Sequence, residues 1–546
     1  MKGKRVSRGA AVVLAVTVVL GLLAAPAFAH AEREVRFPAG TGQVPTYRKA
    51  PASPRLVVCK PDSAERIRSY TGRLRTLNER LLAECSFEHV QAAVNAVEER
   101  GTTIYVLPGT YREEPSRAAP SERCAPLAGK DLLTYAEQYA CPNLQQLVAI
   151  FGDRTPDDDD HSCDSVRCDL QLEGTGRETT DVVIEGGFKE DGSWEKLNGI
   201  RSDRADGFYL RNITTQLFEF NGVYVLEQDG FVIDRALARW NEEYGFLTFA
   251  SDHGLYTDCE GHGNGDAGIY PGSASPLNGR RHSIEIQRCD SHHNALGYSG
   301  TAGDSVYAHD NTFHHNSAGV SMDSAFPGHP GLPQNHATFE NNLIYSNNEN
   351  YYGNVWDGTC AKPPRDRGHE RGVVCPAPPV PVGTGLLLGG GNDNSYVHNR
   401  LYDNWRSGFR QIWVPAPIRG ENDLAKFRDT SHRNRYTRNA FGVAPDGARL
   451  PNGLDVWWDE QGDGNCWQDN TSSYGTVRSD PARLPDCTRP SGWTIFSLIG
   501  RPSKVLSGLP CSEYGRDRPR PQGCDWFDTP PRPAGAPAVS GSRTGR

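Results

Sequence analysis

The sequence predicts an all-β chain wound as a β-solenoid, and three observations carry that prediction. A turn signal of Asn, up to three residues, Gly and an apolar residue returns through residues 206–404. It stands at Asn221-Gly222-Val223, Asn241 to Gly245-Phe246, Asn264 to Gly268-Ile269, Asn294 to Gly297-Tyr298, Asn316 to Gly319-Val320 and Asn404 to Gly408-Phe409, and Asn347 heads a copy without the Gly. The intervals between these asparagines are 20, 23, 30, 22, 31 and 57 residues, so a unit of 20 to 23 residues recurs with inserted loops, the mark of stacked units. Between them run period-two segments rich in β-branched and aromatic residues, such as 207–212, 230–235, 283–289, 305–311 and 337–342, and none has the length or period of a helix. Coils of two or three short strands stacked about 4.8 Å apart satisfy all three observations. Asn suits the turn because it tolerates the left-handed region and can hydrogen-bond from coil to coil.

Residues 1–29 carry Lys2, Lys4, Arg5 and Arg8, an apolar run from Ala10 to Ala25, and Ala27-Phe28-Ala29, the layout of a secretory signal cleaved after Ala29 or Ala31. The expectation is a secreted, extracellular protein with no membrane span, since no other apolar run approaches 18 residues. The signal holds four of the 58 basic side chains and none of the 67 acidic ones, which leaves 54 basic groups and a net charge of −13. That balance argues against nucleic acid or anionic lipid as a partner, and against an acidic polymer unless a cation or a local basic patch intervenes. All fourteen cysteines lie beyond the signal, an even count that implies disulfides in an exported chain. They fall as near neighbours: Cys59 and Cys85, Cys124 and Cys141, Cys163 and Cys168, Cys360 and Cys375, Cys466 and Cys487, Cys511 and Cys524. Cys259 and Cys289 each precede the Asn of their coil by five residues, so stacking allows either a bridge or a buried thiol pair.

The chain divides into an extended segment at 30–58, a helical N-terminal cap at 59–101, the solenoid at 102–450, a disulfide-rich C-terminal cap at 451–526 and a disordered tail at 527–546. In the cap, Ile67, Tyr70, Leu74, Leu77 and Leu81 recur at helical spacing between Asp62 and Ala83. A second helix is expected from Phe87 to Arg100, with Ser86 as its cap and Gly101 as its stop. An open solenoid end exposes strand edges and core side chains, so such a cap is required. Residues 115–168 interrupt the coils and contain Asp157 to Asp160 and His161, read as a solvated acidic loop. The inserted loops at 270–282, 323–336 and 351–393 are expected to build up one side of the solenoid, where loops make sites. Asp459-x-Gln461-x-Asp463-Gly464 has the spacing of a calcium loop, but Asn470 takes the place of its final acid.

The phased Asn turns, with SFEHVQAAVNAVEERGTTIYVLPGTYREE at 86–114, resemble right-handed parallel β-helix proteins of the pectate-lyase-like superfamily. In that family an amphipathic helix caps the first coil and a strand ending in Pro-Gly-x-Tyr follows. The resemblance covers roughly residues 86 to 470 and implies a right-handed parallel β-helix. It leaves the reaction open, because this fold hosts lyases, hydrolases, esterases, epimerases and adhesins.

Counting from the Asn of each coil exposes columns that no linear motif carries. His262, His292 and His314 stand two places before it, and His293 and His315 immediately before it. Glu243 and Asp266 stand two places after it on successive coils, where they can share a cation such as calcium or separate into general acid and base. Gly261-His262-Gly263 matches the Gly-His-Gly of polygalacturonase-like hydrolases, but their Asp-Asp pair is absent. The expected catalytic set is His262, Asp266, Glu243 and His292 along one strip of surface, with Tyr270, His314, Asp323 and Arg410 binding substrate. Trp405, Trp413, Trp457 and Trp458 either stack on sugar rings or pack the end cap. Two functions fit: a lyase- or hydrolase-type enzyme on extracellular polysaccharide, or a non-catalytic secreted or wall-associated scaffold with these columns as plain surface.

Overall fold

The computed structural model describes residues 33–130, 133–154 and 163–534. The signal segment, the acidic run Asp157 to His161 and residues 535–546 of the tail lie outside the described residues. The chain winds through three parallel sheets: sheet A of 12 strands from Arg55–Val58 to Cys466–Gln468, sheet B of 11 from Gly109–Tyr111 to Thr471–Ser472, and sheet C of 11 from Gln146–Phe151 to Ser479–Asp480. Each coil visits A, B and C in turn, as in Phe208–Arg211, Thr214–Gln216 and Asn221–Leu226.

Parallel pairing in unbroken register stacks like on like. Val148, Ile200, Val223, Phe246 and Ile269 follow one another inside sheet C, all buried, and Tyr298, Val320, Leu386, Phe409 and Val456 continue the row. Short strands of sheets A and B alternate buried and half-buried residues, as a sheet with one wet face should. Sheet C differs, for its strands from Gln146–Phe151 to Thr384–Gly389 are buried throughout. The outward residues Tyr224, Tyr244, Leu247, Tyr270 and Leu296 form a second apolar cluster with Tyr352, Val380, Val382, Cys511, Cys524 and Phe527. The outer face of sheet C is therefore walled.

Six of the seven asparagines stack as expected. Asn241, Asn264, Asn294, Asn316, Asn347 and Asn404 form a buried ladder that Asn452 extends, each Oδ1 accepting from the amide and Nδ2 of the preceding coil at 2.9 to 3.3 Å. Asn221 departs from the column: it opens a sheet C strand and bonds Asn198, while its register partner is Tyr244. The discordant interval of 20 residues marks this shift. Asn311, Asn342, Asn399, Asn439 and Asn470 build a second ladder.

The N-terminal helices are shorter than expected. Ser63–Arg68 and Gly72–Ala83 replace one continuous helix, and Val90–Asn95 starts three residues later than Phe87. Its cap is not Ser86: the buried Glu113 carboxylate accepts from the amides of Val90 and Gln91 at 2.8 and 2.9 Å and so satisfies two orphan donors. The extended N-terminal segment is pinned along the coils, with Arg33 bonding Asp203 and Glu227 at 2.9 Å. All seven cysteine pairs are bridged, Cys259 to Cys289 included, which settles the thiol alternative.

The inserted loops stand on both sides of sheet C, not on one. Residues 273–283 and 324–337 leave the C-terminal edge of its strands, whereas 346–383 lies between Leu343–Tyr345 of sheet B and Thr384–Gly389 and so precedes the N-terminal edge. Residues beyond 480 close the last coil, where the Trp467 amide donates to the Pro485 carbonyl, and then fold back along sheet C. Phe527, at the expected start of the tail, is buried against Tyr352, Trp356 and Tyr514.

A candidate active site on the outer face of sheet C

Between the two walls lies a cavity of about 780 Å³ whose floor is the outer face of sheet C. Glu243 and Asp266 lead into Tyr244–Phe249 and Ala267–Gly272, so outward positions of successive strands carry Tyr244, Tyr270, Thr301, Asp323, Arg410, Trp457 and the trailing Asp459 along it. Phe326, His329, Trp413 and Ile418 form one wall, and Pro378, Val380, Tyr514 and Trp526 the other. The volume suits a small ligand or a few sugar rings.

Four carboxyl groups share this apolar enclosure, and burial raises each. Glu243 is pushed up to about 8, by desolvation and then by the nearby Asp266 and Glu242 against the pull of Arg516. Asp266 rises to about 7 by burial, in spite of a hydrogen bond from the Tyr244 hydroxyl. Asp323 and Asp459 reach about 6, held lower by backbone and hydroxyl donors: Asp323 accepts from Thr301 Oγ1 at 3.1 Å and the Ala325 amide at 3.0 Å. Glu243 is half-buried and lines the cavity, and neither its Oε2 nor Asp266 Oδ1 has a hydrogen-bond partner. The Tyr270 hydroxyl lies 2.8 Å from His329 Nε2, and burial lowers that imidazole to about 4, so it is neutral at ordinary pH.

Toward the other end sits Arg410, 8% exposed, with its guanidinium 3.8 Å above the Trp457 ring. Burial, aided by Arg406, pulls it down to about 9. Its Nε has no hydrogen-bond partner and, among the described residues, no carboxylate is in direct contact with it, although Asp525, Asp459 and Asp480 attract it from farther off. A buried cation without a counter-ion is costly unless a bound group supplies the acceptor.

Five of the eight sequence-derived residues meet here: Glu243, Asp266, Tyr270, Asp323 and Arg410. The three histidines do not. His262, His292 and His314 are register partners on sheet B, their rings stacked at 5.1 and 5.0 Å, with Tyr345 and Tyr402 continuing the pile. They line a different face because the Asn turn between His262 and Asp266 carries the chain from sheet B to sheet C. Their partners are local: His292 Nε2 lies 3.4 Å from Glu260, His314 Nε2 3.0 Å from Asp290, and His292 and His293 share an Nδ1 contact of 2.7 Å. Tyr244, His329 and Lys504 join the site without a sequence signal that marks them, except that outward Tyr and Leu in sheet C already indicate a covered face, and Asp459, marked only by its calcium-like spacing, joins it as well.

The calcium-like spacing does not converge. Asp459 accepts from the amides of Trp413 and Gln461, Asp463 pairs with His432, and Asn470 belongs to the second ladder. Among the described residues no three His, Cys, Asp or Glu side chains gather as a metal site. Of the four tryptophans weighed for sugar stacking, Trp413 and Trp457 line the cavity, whereas Trp458 packs on Trp467 of the last coil and Trp405 bonds Asp403.

Residues 198–362 match the family described as "Right handed beta helix region". No curated protein matches the chain. Among solved structures, the A-module of the mannuronan C-5 epimerase AlgE4 from Azotobacter vinelandii is similar at 11% identity and a TM-score of 0.37, over 71% of this chain and 91% of that one. Pectate lyase Pel9A follows at 14% and 0.35, over 81% of each, and the DFA-IIIase from Arthrobacter chlorophenolicus A6 at 14% and 0.38, over 73% and 85%. Likeness at that level bears on neither substrate nor reaction. Among the described residues no helix is long and apolar enough to cross a membrane. With three parallel sheets wound into one coil and residues 198–362 matching that family, this chain folds as a right-handed parallel β-helix.

Proposed function

We propose that this is a secreted enzyme that binds extracellular carbohydrate in the sheet C cavity and cleaves it by general acid and base catalysis from carboxyl groups. The observation that carries the proposal is the set of carboxyls on the cavity floor, spread from about 6 for Asp323 to about 8 for Glu243. Neighbouring groups whose protonation is pushed apart divide into acid and base at one pH. At neutral pH Glu243 holds its proton and Asp323 has lost it, with Asp266 between them. Glu243 is then the proton donor to a leaving oxygen, and Asp266, in the same place on the next coil, the base that takes a proton from water or from a sugar carbon, while Asp323 lies three strands along the floor from Glu243.

Hydrolysis and β-elimination both use such a pair, and the base's target separates them. Trp413, Trp457 and the tyrosines supply flat apolar surface for sugar rings, and Arg410 an unpaired donor for a polar substituent. Sulfur bridges in all seven cysteine pairs agree with an oxidising, exported setting. The test is a panel of neutral and uronate polysaccharides assayed for reducing ends and for unsaturated product. New reducing ends without ultraviolet absorbance mean hydrolysis, and absorbance means elimination. Binding without turnover favours a non-catalytic scaffold instead.

A further inference from the structure

Resting on the carbohydrate proposal, one feature of the C-terminal segment narrows what the cavity can accept. After the last coil the chain does not leave the molecule. The Arg501 amide donates to the Asp459 carbonyl at 2.7 Å, which fixes the chain at the C-terminal edge of the sheet C strand Leu454–Trp458. The helix Pro502–Gly508 then crosses the face of that coil. Lys504 Nζ bonds the Trp458 carbonyl at 2.7 Å and pairs with Asp480 at 2.8 Å, and Gly508 lies against the Trp526 ring. Trp526 is itself at the opposite edge, its carbonyl accepting from the Val382 amide just before the strand Thr384–Gly389.

From there the chain runs back along the N-terminal edge. The Tyr514 hydroxyl donates to the Pro376 carbonyl at 2.7 Å, and Arg516 bonds Glu242 and the Cys375 carbonyl, each at 2.8 Å. Between the strand of Trp458 and that following Glu242 lie six strand steps, roughly 29 Å at the usual spacing. Residues 501–516 thus build an end wall and then a side wall. The Cys511–Cys524 bridge holds the returning segment, and Phe527 anchors it in the apolar cluster.

The end wall stands beside Arg410 and Trp457, with Lys504 Nζ 5.2 Å from the Trp457 ring. The far end is different. Phe220, half-buried, lines this cavity and also a second one of about 990 Å³, bordered by Trp194, Lys196 and Glu219, so the two meet over the N-terminal edge of the strands, while Leu247, Tyr224 and Arg201 farther along the sheet are covered. A chain seated in the cavity can therefore leave over Phe220, at the N-terminal edge of the strands, but not beyond Trp457.

We infer that the cavity is a blind-ended groove that takes the end of a carbohydrate chain rather than its middle. The terminal unit sits against Trp457 and Arg410, and the rest leaves past Tyr244 and Phe220. The test is titration calorimetry on the intact mature protein with hexasaccharides and long polymers of galacturonate, mannuronate, inulin-type fructan and xylan, using a Glu243→Gln variant so that chains stay whole. For the carbohydrate that binds, one protein per chain is expected at both lengths, so that at equal sugar mass the polymer binds less protein by the ratio of the chain lengths. Several proteins loading onto one polymer would leave the carbohydrate proposal standing and overturn the blind end. No binding by any of the eight would overturn both.

Discussion

The Asp266 amide donates to the Glu243 carbonyl at 2.8 Å, so the two acids occupy the same place on consecutive coils. Stacking alone holds them near each other, at no cost in loop structure. It also places both in an apolar enclosure: burial raises each, the nearby Asp266 raises Glu243 further, and among the described residues neither has a cation bonded to its carboxyl oxygens.

A pH dependence of stability follows. The Glu243 carboxyl titrates at about 8 when folded, against 4.5 as its ordinary value. Between those pH values the folded state holds a proton that the unfolded state has released, so this group's contribution falls as pH rises from about 4.5 to about 8. Glu243→Gln removes the titration and keeps the shape. The variant should match the parent in melting temperature at pH 4.5 and exceed it by several degrees at pH 8. A difference that does not change with pH would show that Glu243 is not desolvated.

Arg410 should behave as a functional cation that the fold tolerates. Replacing it with Met keeps the bulk over Trp457 and removes a buried charge that no carboxylate touches, so Arg410→Met should stabilise the protein by ~1 kcal/mol. Ligand affinity should fall by about tenfold or more, as expected for a lost charge-assisted hydrogen bond. Loss of stability in chemical unfolding would mean that Arg410 serves the fold instead.

The Asn ladder makes the opposite kind of prediction. Asn294 accepts from the amide and the side chain of Asn264 at 2.9 Å, and its Nδ2 donates to the Gly261 carbonyl at 2.9 Å. Asn294→Ala leaves buried donors on the neighbouring coil unpaired, which should cost about 3 kcal/mol in unfolding free energy. The exposed Asn422, replaced in the same way, serves as the control, and equal effects would contradict a structural ladder.

Much of this site was legible because a solenoid turns sequence intervals into spatial columns. Glu243 and Asp266 follow from counting past each Asn, and Asp323 and Arg410 lie on later strands of the same sheet. The same counting placed His262 correctly in register with His292 and His314 but on the wrong face, since a turn of four residues separates sheet B from sheet C. Register is a property of one strand column, whereas the face depends on the turn. The second wall had no such signal: Arg516 meets Glu242 across 274 residues, and no periodicity links a disulfide-stapled tail to the coil it covers. Asn221 was misplaced because an Asn-Gly pair can open a strand as readily as a turn.

The most direct measurement compares turnover by Glu243→Gln, Asp266→Asn and His262→Ala on whichever polysaccharide the parent protein cleaves. General acid and base groups contribute about 10²- to 10⁴-fold, so each carboxyl variant should lose at least about a hundredfold in kcat while remaining folded. His262→Ala, on sheet B away from the cavity, should stay within about twofold of the parent. A hundredfold loss in His262→Ala with full activity in both carboxyl variants would contradict the assignment of catalysis to the sheet C cavity.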